Sequence, residues 1–356
     1  MLKSFRYLLF PITCFYAFAV WVRNLLFDKK ILKATAFNFP IIGVGNIATG
    51  GTGKTPMTEL LITLLSPKFK VATLSRGYKR KTKGFAVASA NTTALEIGDE
   101  PMQFHQKFPE VTVAVGEERI VAIPLILQER PQTEVIILDD AFQHRSIAPG
   151  LNILLTEHDN LYTRDFLLPV GDLRDSRKSS RRANIIIVTK CPADLSEDAA
   201  SAIKKELKLK TGQRLFFTKL SYENPYHLFT KLPLSNLQSK QILLICGIAN
   251  PNALMQYVNA KAPSYDMLRF ADHHIFTTDD LKDIKKQFEK ISDANKIMLT
   301  TEKDAVRLLK FEKEIAQMLI YVLPVKHVFL FDGLPAFQQE VILFIERFKD
   351  TAPVTI

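Results

Sequence analysis

The sequence predicts an α/β fold built on a doubly wound, mostly parallel sheet. Three short apolar stretches, at residues 39–44, 70–74 and 135–138, have the length of buried strands and alternate with helical stretches. A glycine-rich turn follows the first strand and leads into a helical pattern over residues 54–65. Hydrophobic residues make up 47% of the 356 residues, which is enough to bury a large core.

The alternation continues along the chain and then changes. Further strands are expected at residues 111–115, 151–155 and 184–188, and the pattern weakens over residues 215–231. A new series of strand and helix patterns begins at residue 241. The sequence therefore predicts three parts: an N-terminal membrane-associated helix over 1–35, a large domain over 36–225 that contains the glycine-rich turn, and a smaller C-terminal α/β domain over 226–356.

The glycine-rich turn has the features of a phosphate-binding loop. Residues 41–55 are IIGVGNIATGGTGKT, in which a strand runs into glycines, and Lys54 and Thr55 open a helix. Backbone N–H groups of such a loop surround phosphate oxygens, and the helix N-terminus adds partial positive charge. Lys54 is expected to reach the outer phosphates of ATP and Thr55 to bind Mg²⁺, although Ala48 replaces the first glycine of the strict motif. The predicted nucleotide-binding residues are Thr49, Gly50, Gly51, Thr52, Gly53, Lys54 and Thr55.

Two aspartates, Asp139 and Asp140, end the apolar strand that starts at residue 134. In enzymes with a phosphate-binding loop, an aspartate at this place completes the coordination of Mg²⁺. The glycine of a GTPase DxxG motif would fall at Phe142 or Gln143 and is missing, so ATP is favoured over GTP. The predicted metal-binding residues are Thr55, Asp139 and Asp140.

A second nucleotide motif overlaps the same loop. Residues 43–48, GVGNIA, match the looser dinucleotide fingerprint, and Arg76 could bind the extra phosphate of NADP. The acidic residue that normally binds the ribose is absent from residues 71–75. A non-enzymatic NADP-binding module therefore remains an alternative, but the continuation of the loop to Lys54 favours a nucleoside triphosphate.

An apolar run without charge covers residues 8–22, with Lys3 and Arg6 before it and Arg23 after it. It is somewhat shorter than the roughly 20 residues that cross a bilayer. A membrane-associated helix, a secretory signal and a buried core helix are all compatible with this pattern. The membrane-associated helix is favoured, because the following ATP site belongs in the cytosol and Trp21 suits a membrane interface.

Charge and cysteine content narrow the class of partner. The formal net charge of +10 indicates an anionic partner, such as nucleic acid, anionic lipid or a phosphorylated substrate. Two basic clusters, over residues 76–83 and 174–182, supply part of this charge. Cys14, Cys191 and Cys246 are too far apart for a CxxC motif, which favours free thiols in a reducing compartment.

Short motifs are spread along nearly the whole chain. In order they are GVGNIATGGTGKTP at 43–56, SRGY at 75–78, GDEP at 98–101, DDAFQHR at 139–145, LRD at 173–175, VTKCP at 188–192, GIANP at 247–251, DHH at 272–274 and TTEKDAVRL at 300–308. Their combination and order resemble the tetraacyldisaccharide 4'-kinase family of bacteria that make lipopolysaccharide. Ala141 stands where the family usually has glycine, and Asp175 stands where it often has glutamate.

The resemblance implies a fold, a reaction and a place in the cell. It implies a phosphate-loop kinase domain, a smaller C-terminal α/β domain and an N-terminal membrane helix. The reaction is transfer of the ATP γ-phosphate to the 4'-hydroxyl of a tetraacyldisaccharide 1-phosphate, an acylated glucosamine disaccharide lipid. ATP and Mg²⁺ are the implied cofactors, the cytoplasmic face of the bacterial inner membrane is the implied location, and no nucleic acid is expected as a partner.

The resemblance also implies catalytic residues. Asp99 of GDEP is the implied base for the sugar hydroxyl, and His273 is its implied partner, with His274 as the alternative. A second, membrane-tethered ATPase function on nucleic acid remains open, although no nucleic-acid motif supports it. Further residues expected to contact substrate or phosphate are Ser75, Arg76, Arg119, Gln143, His144 and Asp175.

Overall fold

The computed structural model describes residues 6–348, and within this range the strands form two sheets. Residues 1–5 of the predicted N-terminal helix and residues 349–356 of the predicted C-terminal domain lie outside the described range. The strands are β1 Ile41–Asn46, β2 Val71–Ser75, β3 Ala86–Val87, β4 Thr112–Val115, β5 Val135–Leu138, β6 Leu151–Glu157, β7 Ile185–Thr189, β8 Arg214–Tyr222, β9 Tyr226–His227, β10 Gln241–Cys246, β11 Ser264–Arg269, β12 Lys296–Thr301, β13 Ile320–Leu323 and β14 Val325–Phe329.

Helices cover both sheets, and short 3₁₀ turns lie at Tyr7–Leu9, Arg177–Arg182 and Leu309–Phe311. The α-helices are α1 Phe10–Asp28, α2 Lys54–Leu65, α3 Ala94–Ile97, α4 Asp99–Lys107, α5 Arg119–Glu129, α6 Glu197–Leu207, α7 Asn252–Lys261, α8 Thr278–Lys290, α9 Glu302–Leu308, α10 Glu312–Ile315 and α11 Gly333–Glu346.

The larger sheet has the strand order β14-β8-β7-β6-β1-β5-β2-β4-β3. Its seven central strands are parallel, and only the two edge strands, β14 and β3, are antiparallel to their neighbours. Every residue of β1, β2, β5 and β7 is buried, because helices cover both faces of the sheet. The predicted doubly wound parallel sheet is confirmed.

Strand β1 occupies the position that matters for ligand binding. It lies between β5 and β6, although the chain runs from β1 to β2 on the far side of β5. The strand order thus changes direction at β1, and ligands of such sheets bind in the crevice at the carboxyl ends of the strands at that point. The glycine-rich loop after β1 and the aspartates after β5 share this crevice edge.

The smaller sheet has the order β11-β10-β12-β13-β9, with β9 antiparallel to β13. After β13 the chain returns to the larger sheet, where β14 pairs with β8 and α11 packs into the same apolar core as Phe216. The sequence analysis assigns all of residues 226–356 to the smaller domain. The division of the chain between residues 225 and 226 stays a prediction. The pairing of β14 with β8 and the packing of α11 favour assigning these two last elements to the large domain.

Helix α1 lies against the large sheet unit through one face only. Thr13 and Val20 are buried, whereas Phe15 is 78% exposed. The apolar stretch over Tyr7–Asp28 has the length and composition to cross a membrane. Within its most apolar 18 residues, only 11% are buried inside the protein. A buried core helix, one of the alternatives from the sequence, is therefore not what the structure shows. The other large apolar side chains exposed on and near this helix are Tyr7, Leu8, Leu9, Phe10, Ile12, Phe18, Trp21, Leu25, Ile31 and Leu32.

Candidate active site

The loop after β1 presents its backbone to open space. A Cβ placed on Gly50 or Gly51 would meet no atom within 4 Å, so a ligand can approach the backbone there. Gly53 has a φ of +87°, which favours glycine, and it directly precedes Lys54 at the start of α2. The strand, loop and helix are therefore arranged as the sequence predicts for phosphate binding.

A buried histidine on β14 supports this loop from behind. His327 Nε2 donates to the backbone carbonyl oxygen of Gly53 at 2.9 Å, so Nδ1 is the unprotonated nitrogen and accepts from the Thr218 hydroxyl at 2.9 Å. Burial lowers the pKa of His327 to about 4, which keeps the ring neutral at physiological pH. The sequence analysis missed His327, because a single histidine on a distant strand carries no motif.

We expect His327 to matter for nucleotide affinity. In His327→Leu, the buried carbonyl of Gly53 loses its donor, and leaving such a group unsatisfied costs about 1–3 kcal/mol. The loop should lose its alignment, and the KM for ATP should rise roughly tenfold. His327→Gln retains an N–H donor and should recover most of the affinity. Equal ATP affinity in His327→Leu and the unaltered protein would contradict this prediction.

Asp140 is held by two cations beside the loop. Arg174 Nη2 lies 3.0 Å from Asp140 Oδ1, and Lys54 Nζ lies 3.6 Å from the same oxygen. Burial opposes ionisation of Asp140, but Lys54 and Arg174 outweigh it and lower its pKa to about 2. Arg174 also donates to Asn46 Oδ1 at 2.5 Å, and Asn46 Nδ2 donates to Thr52 Oγ1 at 3.0 Å. Asp140, with its left-handed φ of +43°, is thus fixed against the loop.

Asp139 is in a different environment from its neighbour. It is buried, and its Oδ1 accepts from the Thr58 hydroxyl at 3.2 Å. Burial raises its pKa to about 7, and the negative charges of Glu100 and Asp140 add to this effect. The two adjacent aspartates that the sequence predicts for metal binding therefore differ. Two cations stabilise the ionised form of Asp140, whereas burial and nearby negative charge oppose ionisation of Asp139.

Several predicted phosphate contacts surround the aspartates. Arg119 is buried, donates to the backbone oxygen of Asp139 at 2.7 Å, and has its pKa lowered to about 10 by burial. Within residues 6–348, Arg119 Nε and Nη1 and the Ser75 hydroxyl are buried without a hydrogen-bond partner. Burial, with the charges of Arg119 and Arg76, lowers the pKa of His144 to about 4. Ser75, Arg76, Arg119 and His144 thus lie in one electropositive region beside the aspartates.

Gln143 and Asp175 have structural contacts that the sequence did not suggest. Gln143 Nε2 donates to the backbone oxygen of Asn46 at 2.5 Å, and the Gln143 carbonyl accepts from Arg23 of α1. Asp175 is fully buried, with Asn24 Nδ2 at 2.8 Å and Arg182 Nη2 at 3.0 Å. The carboxylate of Asp175 therefore anchors α1, while its neighbour Arg174 contacts Asp140.

The pair implied by the family resemblance meets between the two sheets. His273 Nδ1 lies 3.3 Å from Asp99 Oδ2, although the two residues are 174 positions apart. Arg307 Nε donates to the same Asp99 oxygen at 2.8 Å, and Lys303 Nζ lies 3.0 Å from His273 Nε2. Burial opposes ionisation of Asp99, but the hydrogen bond from His273 and the charge of Arg307 outweigh it and lower its pKa.

His274 has a different partner from His273. Its Nε2 lies 2.9 Å from Asp280 Oδ2, and Asp280 also caps α8 through Thr277. His273 itself has a left-handed φ of +59° and an edge-on ring contact with Tyr78. Of the two histidines that the sequence left open, the structure therefore places His273 beside Asp99.

The two basic clusters are partly used within the protein. Arg80 bonds Glu117 at 2.6 Å, Arg177 donates to the backbone oxygen of Asp165 at 2.7 Å, and Arg182 bonds Asp175. Only part of the positive charge counted from the sequence is thus left for an external anion.

Comparison with known proteins decides the family. The profile of the LpxK family, tetraacyldisaccharide-1-P 4'-kinase, matches residues 5–342. The chain belongs to the tetraacyldisaccharide 4'-kinase family. It is 47% identical over 326 residues to the tetraacyldisaccharide 4'-kinase of Flavobacterium johnsoniae, covering 91% of this chain and 93% of that one. The corresponding protein of Bacteroides fragilis strain YCH46 is 44% identical over 349 residues, covering 95% and 93%.

A solved member of the family has the same fold. The crystal structure of LpxK from Aquifex aeolicus in complex with ATP superimposes with a TM-score of 0.75 at 29% sequence identity. The match covers 97% of this chain and 99% of that one. The α/β fold of this chain, with its large parallel sheet, therefore matches that of a solved kinase of the same family.

Proposed function

We propose that this chain is an ATP-dependent kinase that phosphorylates the 4'-hydroxyl of a tetraacyldisaccharide 1-phosphate. One observation carries the proposal beyond the family assignment. Glu100 follows the candidate base Asp99 directly, and its charge raises the pKa of Asp139 beside the phosphate loop. This proximity supports a single site, in which the base Asp99 and a phosphate held by the loop can meet as phosphoryl transfer requires.

The proposed phosphate site uses the loop 49–55 and the cations around it. Backbone N–H groups of the loop bind the phosphates, and Lys54 leaves Asp140 to contact the outer ones. Arg119 and Ser75 have buried donors without protein partners, which suits them to bind the transferring phosphate or its oxygens. Arg76, Gln143 and His144 line the same region, where Gln143 also holds the end of β1.

The residues present fit Mg²⁺. This ion is usually held by one or two carboxylates together with waters and substrate phosphates. Across residues 6–348, no cluster of three or more His, Cys, Asp or Glu side chains is placed to hold a metal, so Asp139, Asp140 and Thr55 would share it with the nucleotide. Burial, and then the charges of Glu100 and Asp140, raise the pKa of Asp139, and a cation beside its carboxylate would favour the ionised form. When bound, Mg²⁺ neutralises charge that develops on the phosphates.

Asp99 is the proposed proton acceptor. Its lowered pKa keeps it ionised at neutral pH, so it can accept the proton of a sugar hydroxyl as the hydroxyl oxygen attacks. His273 lies against the carboxylate through Nδ1, which is 3.3 Å from Asp99 Oδ2 and 3.2 Å from Arg307 Nη2, while Nε2 is 3.0 Å from Lys303 Nζ. These contacts fix the imidazole beside Asp99. Asp99 then carries the proton of the sugar hydroxyl and releases it to solvent after the phosphorylated lipid has left, since its side chain is 22% exposed.

The proposed location is the cytoplasmic face of the bacterial inner membrane. The acyl chains of the lipid acceptor belong in a bilayer, and α1 exposes a row of large apolar side chains. The same helix contacts the site through Arg23 and Asn24. If the exposed face of α1 binds the membrane while its other face contacts Gln143 and Asp175, the proposed site lies close to the bilayer surface.

The reaction can be tested directly. Purified protein in detergent is given γ-labelled ATP, Mg²⁺ and tetraacyldisaccharide 1-phosphate, and the product is examined to locate the new phosphate. We expect label at the 4'-position, and no stimulation of ATP hydrolysis by DNA or RNA. ATP hydrolysis that depends on nucleic acid, without labelled lipid, would contradict the proposed function and support the alternative ATPase.

The membrane contact predicts an effect of surface substitutions. Replacing Phe15 and Phe18 by serine should weaken membrane association, because each change removes a large apolar side chain that is mostly exposed. ATP binding should be unchanged, since Tyr16, Arg23 and Asn24 remain to dock the helix. Fractionation with and without high salt, with nucleotide affinity measured in parallel, checks both statements. A fully soluble unaltered protein would show that the apolar face is not a membrane anchor.

A further inference from the structure

Helices α4 and α9 are joined at both ends by ion pairs. Asp99, the first residue of α4, pairs with Arg307 near the end of α9 at 2.8 Å. Lys107, the last residue of α4, pairs with Glu302, the first residue of α9, at 2.6 Å. The two helices therefore run in opposite directions, and two fixed points determine their alignment. One of these points is the candidate base itself, and the other has no place in the proposed chemistry.

The second fixed point reaches the nucleotide-binding helix. Lys107 Nζ also lies 2.7 Å from Glu59 Oε2, and Glu59 belongs to α2, the helix that begins at Lys54. Gln103 Nε2 donates to the other Glu59 oxygen at 2.7 Å. Glu59 and Glu302 are both buried, with 5% and 6% exposure, so these bonds are shielded from water. Lys107 thus ties three helices together at one point.

The charges at this point favour a fixed lysine. Burial raises the pKa of Glu59 to about 7, and the neighbouring charge of Glu302 adds to this effect. For Lys107, burial opposes the charged form, but the two carboxylates outweigh it and raise its pKa. Without Lys107 the two carboxylates would repel each other across a buried contact. The lysine is therefore the group that holds α9 against α2 and α4.

Helix α9 connects this point to the candidate catalytic pair. Lys303 follows Glu302 directly and lies 3.0 Å from His273 Nε2. Arg307 contacts Asp99 and is itself fixed by Asp304, whose carboxylate also accepts from the backbone N–H of Gly247. A shift of α9 at its first residue would move Lys303 and Arg307 relative to His273 and Asp99.

We propose that Lys107 and Glu302 are positioning residues, which align the Asp99–His273 pair through α9 and link it to the phosphate-loop helix. This inference rests on the proposed function, because it concerns the base of that reaction. Neither residue touches the reacting atoms in this arrangement. Their effect should therefore be on turnover, with nucleotide binding at the loop preserved.

The test uses the full-length protein with Glu302→Met as the main variant. Methionine has a similar length, and Lys107 then keeps a single partner, Glu59, so the buried charges remain balanced. We expect kcat for lipid phosphorylation to fall about 10- to 100-fold, the scale of a small misplacement of catalytic groups. The KM for ATP and the temperature of unfolding should stay close to those of the unaltered protein.

Two further variants separate positioning from general destabilisation. Glu206→Met is a surface control, since Glu206 forms an ion pair of the same length with Arg164, at 2.6 Å, but the pair is more exposed and the partners of Glu206, Arg164 and Thr163, lie outside the proposed site. Its kcat should be unchanged. In the double variant Lys107→Met with Glu302→Met, the loss of kcat should be smaller than the product of the losses in the two single variants, because both changes remove the Lys107–Glu302 contact.

The outcomes that would overturn the inference are specific. A normal kcat in Glu302→Met would contradict the inference. A lower activity that is fully explained by less folded protein, or by a higher KM for ATP, would contradict it as well. Additive losses in the double variant would mean that the two residues act separately. If the unaltered protein transfers no phosphate to the lipid, the proposed function fails first and the inference fails with it.

Discussion

Lys54→Ala should nearly abolish phosphoryl transfer while the protein remains folded. Lys54 begins α2 and is only partly buried, so its removal leaves no cavity in the core. It supplies positive charge where the outer phosphates bind, and loss of one such preorganised donor reduces kcat by roughly 10²–10³-fold. Initial rates with saturating ATP, together with a thermal unfolding curve, measure the effect.

The same substitution has an electrostatic consequence within the site. Lys54 is one of the two cations that lower the pKa of Asp140 to about 2. Without it, the pKa of Asp140 should rise, and binding of Mg²⁺ should weaken as the pH falls, because protonation removes a ligand. Lys68→Ala, at an exposed position just after α2, is the matched control and should be fully active. Near-normal transfer by folded Lys54→Ala would remove the phosphate-loop assignment.

The parts of the fold that depend on local pattern could be predicted from the sequence. The glycines, lysine and threonine of the phosphate loop are contiguous, and the strands β1, β5 and β7 are each a short run of mostly apolar residues, so both features can be recognised in the sequence. Edge pairing is not local. Strand β14 follows β13 after one residue, yet it joins the other sheet and carries His327 to the loop.

The same distinction applies to the candidate site. Asp139 and Asp140 are adjacent and end a strand, so their meeting with the loop follows from the parallel sheet. Asp99 and His273 are far apart in sequence, and only the family resemblance paired them. Arg174 and Asp175 are neighbours in the chain but have different partners. Arg174 binds Asp140 beside the phosphate loop, whereas Asp175 binds Asn24 of α1, and no sequence pattern indicates this difference.

Asp99→Ala should lower kcat far more than it weakens ATP binding. The carboxylate acts on the acceptor hydroxyl, and loss of general-base catalysis typically reduces rates about 10²–10⁴-fold. Because His273 and Arg307 lower the pKa of Asp99 against the effect of burial, the unaltered enzyme should keep its rate until the pH falls below the usual range of a carboxyl group. The rate is then lost as Asp99 becomes protonated. A pH–rate profile, recorded with ATP affinity, tests both statements.

The histidines supply a matched pair for the same prediction. His273→Ala should reduce kcat, since it removes the group 3.3 Å from Asp99 Oδ2 and should raise the pKa of Asp99, moving the acid limb of the profile to higher pH. His274→Ala should leave kcat and the acid limb unchanged, because His274 contacts Asp280 at 2.9 Å. The two substitutions are adjacent and chemically identical, but they remove the partners of two different carboxylates, Asp99 and Asp280. Equal activity in both variants, or an Asp99→Ala protein whose only defect is ATP affinity, would show that Asp99 is not the base.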